Sequence, residues 1–379
     1  MMKQANPDLI EAGLSLHQSG QILPDTYILD LDTIQANGTV MLEKARKAGV
    51  ELFFMLKQIG RNPLVAKALI NSGYRGAVVV DFKEALTMME NDIPLCNVGH
   101  LVQVPDHLLE KIMRYGTEYM TVYSLDKLAK IDAIAKKIGC KQKILLKIVG
   151  PNDQIYEGQF GGFLLEELVS TSRLFHRFNA LDIVGVTSFP CFLFDETSLE
   201  LTQTKNVQTI TRAKEILYNE GFKITEFNVP SATCSTTIPL IKEIGGTQGE
   251  PGHALTGTTP LHAYKPQPEK PALIYVSEIS HNFKGQSYFY GGGYYRRGHL
   301  QSVIIDDPQR QTEDQVTNFS NESIDYYLAT TKEHTIGATV IAAFRTQIFV
   351  TRSEVAVVKG ISKGKPEIVG IFDSQGRRI

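Results

Sequence analysis

Val50-Glu51-Leu52-Phe53-Phe54-Met55-Leu56-Lys57 reads as a buried strand that ends in an amine. Burying an unpaired ammonium is costly, so lysine is a poor packing choice at the end of an apolar, aromatic run. Two readings stand side by side. In one, the lysine stem packs and its head reaches solvent at the strand exit. In the other, a desolvated amine is kept for nucleophilic chemistry, because it loses its proton more easily and can form a Schiff base with an aldehyde.

Outward from this stretch, short apolar runs alternate with amphipathic ones. The expected strands are Val50–Leu56, Gly76–Asp81, Ile93–Gly99, Tyr119–Ser124, Lys143–Gly150, Asp182–Ser188, Ile224–Pro230 and Gly246–Gly252. Between them, Ser124 caps a helical face of Leu128, Ile131, Ile134 and Ile138, and Leu109, Ile112 and Met113 repeat the spacing. Gly73 and Gly221 supply stop signals. Strand then helix, repeated this way, predicts an α/β chain with a (β/α)8 TIM barrel. A doubly wound open sheet is the competing topology. No G-x-G-x-x-G fingerprint follows the first strand, which weakens a dinucleotide site.

The bulk composition narrows the class. The chain has 379 residues, 42% hydrophobic and 21% charged, with a net charge of −2 and no basic block. A nucleic-acid partner is therefore not expected. Neither a membrane span nor a signal peptide is read, and cytoplasmic localisation is expected. Cys96, Cys140, Cys191 and Cys234 are widely spaced, which argues for a reducing compartment and against a metal site. Cys96 and Cys140 are expected in or near the core. Cys191 and Cys234 lie in strand-end loops, where one could face a site.

The organisation expected is an N-terminal segment over 1–36, a barrel over 37–263 and a mainly-β domain over 264–379. Lys265–Pro271 reads as a linker. The β domain is read from Ala272–Ile279, Gln301–Ile305, Ala338–Phe349, Glu354–Val358 and Glu367–Phe372. Tyr27–Ile34 is an apolar run that fits either domain.

Chemistry in such barrels sits at the C-terminal ends of the strands. Lys57, Asp81, His100 and Ser188 all fall there, with Ser231-Ala232-Thr233-Cys234-Ser235 and Gly249-Glu250-Pro251-Gly252-His253. The glycine turn can bring backbone N–H groups to a phosphate, with Ser231 or Ser235 as hydroxyl donors; equally, it can be a tight loop that closes the barrel.

With these residues assembled, the chain resembles the fold-type III pyridoxal-phosphate enzymes, which include alanine racemases and the ornithine and diaminopimelate decarboxylases. More narrowly it resembles the YhfX family. The resemblance implies pyridoxal 5'-phosphate as cofactor, an amino acid as substrate and a homodimer with a shared active site. It implies Lys57 as the Schiff-base lysine, and Ser231, Gly252 and the His253 amide as phosphate ligands. Tyr290, in Tyr288-Phe289-Tyr290-Gly291, matches the tyrosine that racemases donate across the dimer, with Tyr294 and Tyr295 close by. Glu250 stands where racemases place arginine, and Glu250-Pro251-Gly252 matches the decarboxylases. A carboxylate there would keep the pyridine nitrogen protonated and strengthen the ring as an electron sink.

Two departures from the pattern matter. His253 replaces the decarboxylase arginine. The stacking histidine after the sixth strand is missing, leaving Ser188 or Phe189 against the ring. The His-x-Cys and His-x-Asp pairs of metal-dependent relatives are absent from the sequence. The expected function is an amino-acid racemase, an isomerase. Decarboxylation and a non-catalytic cofactor carrier are the alternatives. Arg296 and Arg297 could bind a substrate carboxylate or solvate a loop.

Overall fold

The computed structural model describes residues 2–307, 309–317, 319–320 and 322–379. Its packing divides the chain into two compact units. One is Thr39–Leu56 with Leu69–Gly252; the other is Met1–Gly38, Lys57–Ala68 and His253–Ile379.

The first unit is the barrel. Its strands are Glu51–Leu52, Ala77–Val78, Leu95–Val98, Tyr119–Val122, Gln142–Val149, Leu181–Thr187, Glu226–Asn228 and Gln248–Gly249. They pair in parallel in chain order, and the eighth returns to the first at Gln248–Glu51 and Gly249–Leu52. A parallel bridge between Phe54 and Ala77 joins the first strand to the second and closes the ring. The predicted α/β barrel is therefore present, with shorter ladders than the apolar runs suggest. Past Leu52 the first strand continues as single bonds, with Phe53 N–H donating to Gly249 O at 3.1 Å and Met55 N–H to Pro251 O at 3.0 Å.

Phe53, Met55, Val78, Cys96, Tyr119 and Leu145 pack together inside the barrel. Around it, helices end where the sequence says they should. Ser124 Oγ accepts from Lys127 N at 3.3 Å to open Leu125–Ile138, and left-handed Gly139 closes that helix. Elements of this unit not read from sequence include the short strand Phe163–Leu164, parallel to the fifth strand, and the antiparallel hairpin of Phe192–Asp195 with Glu200–Gln203.

The second unit is mainly β. Its main sheet runs in the order Gln311–Gln315, Ser302–Asp306, Thr339–Ala342, Leu273–Phe283, Thr26–Asp30, Glu354–Lys359, Glu367–Phe372. Thr26–Asp30 lies inside this sheet, antiparallel to Leu273–Phe283 and parallel to Glu354–Lys359. That places the strand of the Tyr27–Ile34 run in the β-rich unit. The predicted strand over Ala338–Phe349 is shorter than expected: it spans Thr339–Ala342, and a 3-10 turn follows at Ile348–Val350. A helix over Pro7–Gln18 packs Leu9, Leu14 and Leu16 against Ile274, Val276 and Ile341 of the sheet. Gly13 permits that approach, since a Cβ there would stand 2.6 Å from Ile274 Cδ1.

Candidate active site

In the barrel unit, Glu250 follows the eighth strand and is 6% exposed. A buried carboxylate needs donors. Asn97 Nδ2 and Asn228 Nδ2 supply them, both to Oε1, at 3.2 and 3.0 Å. These amides are themselves fixed, because Thr121 Oγ1 donates to Asn97 Oδ1 at 2.8 Å and Thr187 Oγ1 to Asn228 Oδ1 at 2.7 Å. Thr233 Oγ1 accepts the Glu250 backbone N–H at 3.0 Å. Oε2 has no hydrogen-bond donor among the described residues and lies 3.6 Å from His100 Nε2. One oxygen is thus locked and the other is left as an acceptor. Sequence reading missed this network, although asparagines at Asn97 and Asn228 inside apolar strands were its signal.

The other strand-end residues take varied roles. Asp81 caps the helix Phe82–Glu90 by accepting from Glu84 N at 2.8 Å. His100 is 1% exposed and meets the Phe189 ring edge-on at 5.7 Å. Ser188 Oγ accepts from Asn206 Nδ2 at 3.0 Å, and the Phe189 ring also meets that of Tyr156 at 5.8 Å, so both candidates for ring contact have partners of their own. Ser231 and Ala232 both hold positive φ, 90° and 50°, an unfavourable conformation for non-glycine residues. The Ser231 hydroxyl donates to Phe192 O. Its proton is therefore spent, and it would have to turn to donate to a phosphate. Cys191 and Cys234 are both buried, and burial pushes the Cys191 thiol well up, so it is not a thiolate. Cys140 is exposed, which corrects its expected core position. It follows the helix-ending Gly139, beyond the buried helical face.

A further residue belongs with this group. Lys147 lies on the fifth strand and is 3% exposed, with Nζ 3.1 Å from Gln159 O and 4.6 Å over the Tyr123 ring. Burial pushes its pKa down to about 8. Lys143-Ile144-Leu145-Leu146-Lys147-Ile148-Val149 carries the same signal that drew attention to Lys57, an amine in an apolar run.

In the second unit, Lys57 opens a 3-10 turn, Lys57–Ile59, and is half-buried. Thr346 holds this turn, with Oγ1 donating to Gln58 O at 2.7 Å. The same residue's carbonyl accepts from His253 Nε2 at 2.9 Å, which fixes the proton on Nε2. Burial first, then the charges of Arg345 and Lys57, push the His253 pKa down to about 3. The ring is therefore neutral and cannot replace the charge of the decarboxylase arginine. The backbone N–H groups of Gly252 and His253 have no protein acceptor among the described residues.

Tyr290 is 36% exposed, with its ring 5.7 Å from that of Tyr327. Tyr294 packs on Phe344, and Tyr288 stacks on His281. Arg296 donates to the carbonyls of Phe319 and Ser323, so its guanidinium is engaged within its own unit.

The alanine racemase N-terminal domain model matches residues 29–260, and the YhfX-like C-terminal domain model matches 274–368. The uncharacterized protein YhfX of Escherichia coli (strain K12) is 44% identical over 380 residues, covering 100% of this chain and 98% of its own. The chain belongs to the YhfX family of alanine-racemase-like proteins. Solved structures agree on the fold. A D-threonine aldolase from Filomicrobium marinum superposes with a TM-score of 0.68 at 15% identity, over 93% of this chain and 94% of its own. The alanine racemase of Clostridium difficile 630 complexed with cycloserine gives 0.63 at 19%, over 92% and 98%. A D-threo-3-hydroxyaspartate dehydratase gives 0.66 at 15%, over 90% and 96%. Three reactions on one fold mean that the fold alone does not choose among them.

Among the described residues, no group of three or more His, Cys, Asp or Glu side chains is arranged to hold a metal ion. No helix among them is long and apolar enough to cross a membrane.

Proposed function

We propose that the protein is a pyridoxal-phosphate-dependent enzyme acting at the α-carbon of an amino acid, and that its reaction is racemisation. Glu250 carries the cofactor part of this reading, and the match of Tyr290-Gly291 to the racemase tyrosine carries racemisation. A buried carboxylate with one oxygen fixed by two amides and the other left as an acceptor suits a ring N–H. The backbone amides of Gly252 and His253, without a protein acceptor among the described residues, suit a phosphate.

In this reading Lys57 holds the cofactor covalently. Gly252 and His253 hold its phosphate through backbone N–H groups, Ser231 adds its hydroxyl once turned, and Phe189 lies against its ring. Glu250 keeps a proton on the ring nitrogen. Pyridoxal phosphate, when bound, supplies an electron sink for the α-carbanion. Lys57 moves a proton at one face of the α-carbon, and Tyr290 of the partner subunit moves one at the other. The partial exposure of Tyr290 supports its donation to a second copy in a homodimer. Four free cysteines support a cytoplasmic setting.

Decarboxylation is the second reading, favoured by the Glu250-Pro251-Gly252 sequence. Incubating the loaded protein with single amino acids in deuterated water separates the two. Racemisation predicts α-deuterium incorporation with loss of optical rotation and no gas. Release of carbon dioxide with the matching amine would replace racemisation by decarboxylation. Neither α-deuterium exchange nor carbon dioxide release with any of the amino acids would overturn both.

A further inference from the structure

Lys147 is a buried charge that the proposed chemistry leaves unused. Its ammonium contacts one carbonyl, Gln159 O, and one ring face, Tyr123. Among the described residues no carboxylate lies within ion-pair reach of it. These two contacts offset only part of the cost of taking an ammonium out of water. A methionine of similar length would fill the same space without that cost. Packing therefore does not explain the amine.

The strand register shows where Lys147 points. Lys147 pairs with Thr187, Thr187 with Asn228, and Asn228 with Gln248. Register partners in parallel strands leave the sheet on the same face. Asn228 donates directly to Glu250, and Thr187 fixes Asn228. Lys147 therefore faces the same barrel interior as Glu250. The two do not pair, since the side-chain partners of Glu250 are Asn97, Asn228 and His100. Opposite charges held apart in one interior suit a ligand assembly that offers an N–H cation at one end and an anion at the other. Around Lys147 the wall is aromatic: Tyr123, whose hydroxyl donates to His100 O at 2.5 Å, then His100 and Phe189 in edge-to-face contact.

We propose that Lys147 binds the α-carboxylate of the amino-acid substrate, from the same barrel interior that Glu250 faces. This rests on the pyridoxal-phosphate reading for the identity of the substrate, and on the barrel geometry alone for the anion site. A carboxylate brought in by the substrate supplies the partner that the protein withholds. An amine lacking the carboxylate forgoes that contact.

The test compares wild type, Lys147→Met and Lys147→Arg. Each is loaded with pyridoxal phosphate and titrated with alanine against ethylamine, serine against ethanolamine and lysine against cadaverine, with binding read from cofactor absorbance. Lys147→Met is expected to reduce the preference for amino acid over amine at least about tenfold, leaving the amine affinity within about twofold. Lys147→Arg is expected to retain part of the preference. The cofactor-free Lys147→Met protein is expected to melt at or above wild type, because an uncompensated charge has gone. Equal weakening of amine and amino acid would overturn the proposal, and so would an unchanged preference.

Should the protein take up no cofactor, the pyridoxal-phosphate reading fails on its own. The anion site is then tested on the apoprotein by 13C-methylating its lysines. A Lys147 resonance that moves with alanine, and not with ethylamine, keeps the site. A resonance that moves with neither removes it.

Discussion

Glu250 and His253 lie three residues apart, and the protein treats them in opposite ways. Glu250 is buried, with Oε1 held by two amides and Oε2 left without a hydrogen-bond donor among the described residues, 3.6 Å from His100 Nε2. Replacing it with glutamine keeps the shape and removes the charge. Glu250→Gln is expected to bind cofactor and to lower α-proton exchange about a hundredfold, the scale of losing one preorganised electrostatic contact. Exchange within a factor of three of wild type would remove Glu250 from the chemistry. His253 is held neutral instead. Its folded pKa of about 3 lies below the ordinary 6.5, so the unfolded chain binds the proton first as pH falls. Its contribution to stability is present above 6.5 and is lost as pH drops from there towards 3. Nitrogen NMR of the ring is expected to show one tautomer, protonated on Nε2, with no titration between about pH 5 and 8. A midpoint near the ordinary value would contradict the burial of the ring, which is the largest cause of the lowering.

At the scale of elements, the turn that bears Lys57 is secured from a distant part of the sequence. Thr346 Oγ1 holds Gln58 O, and Gly60 adopts a φ of 74° so that the chain passes Ile348 and Val355, where a Cβ would stand 3.2 Å from each. Thr346→Val preserves shape and deletes the donor. It is expected to lower unfolding free energy by about 1–2 kcal/mol in urea titration, with Thr346→Ser recovering most of it. No loss on Thr346→Val would mean that the bond does not hold the turn.

Elements also differ in how far the sequence disclosed them. All eight barrel strands were legible: most are covered on both faces and read as apolar runs, while the eighth, in Gly246-Thr247-Gln248-Gly249, is polar and was read from its place in the strand–helix alternation. The Pro7–Gln18 helix was not, since Gly13 sits in its middle and its burial depends on a sheet assembled from residues 270 onward. The network around Glu250 was illegible for a related reason. Asn97, Thr121, Thr187 and Asn228 come from four strands, and only barrel closure brings them to one carboxylate.

At the scale of the whole molecule, the chain is an alanine-racemase-like barrel followed by a YhfX-like C-terminal domain, a fold on which solved relatives carry racemase, aldolase and dehydratase names. Lys57 joins the two levels of description, since it follows the first barrel strand and starts the turn that packs with the β-rich unit. Its role as the cofactor-bearing lysine is the claim on which the functional reading depends. The most direct measurement is borohydride reduction of the protein incubated with pyridoxal phosphate, followed by peptide mapping. The account predicts a single phosphopyridoxyl label on Lys57, absent from Lys57→Ala. A label on Lys147 or another lysine, or none at all, would contradict it.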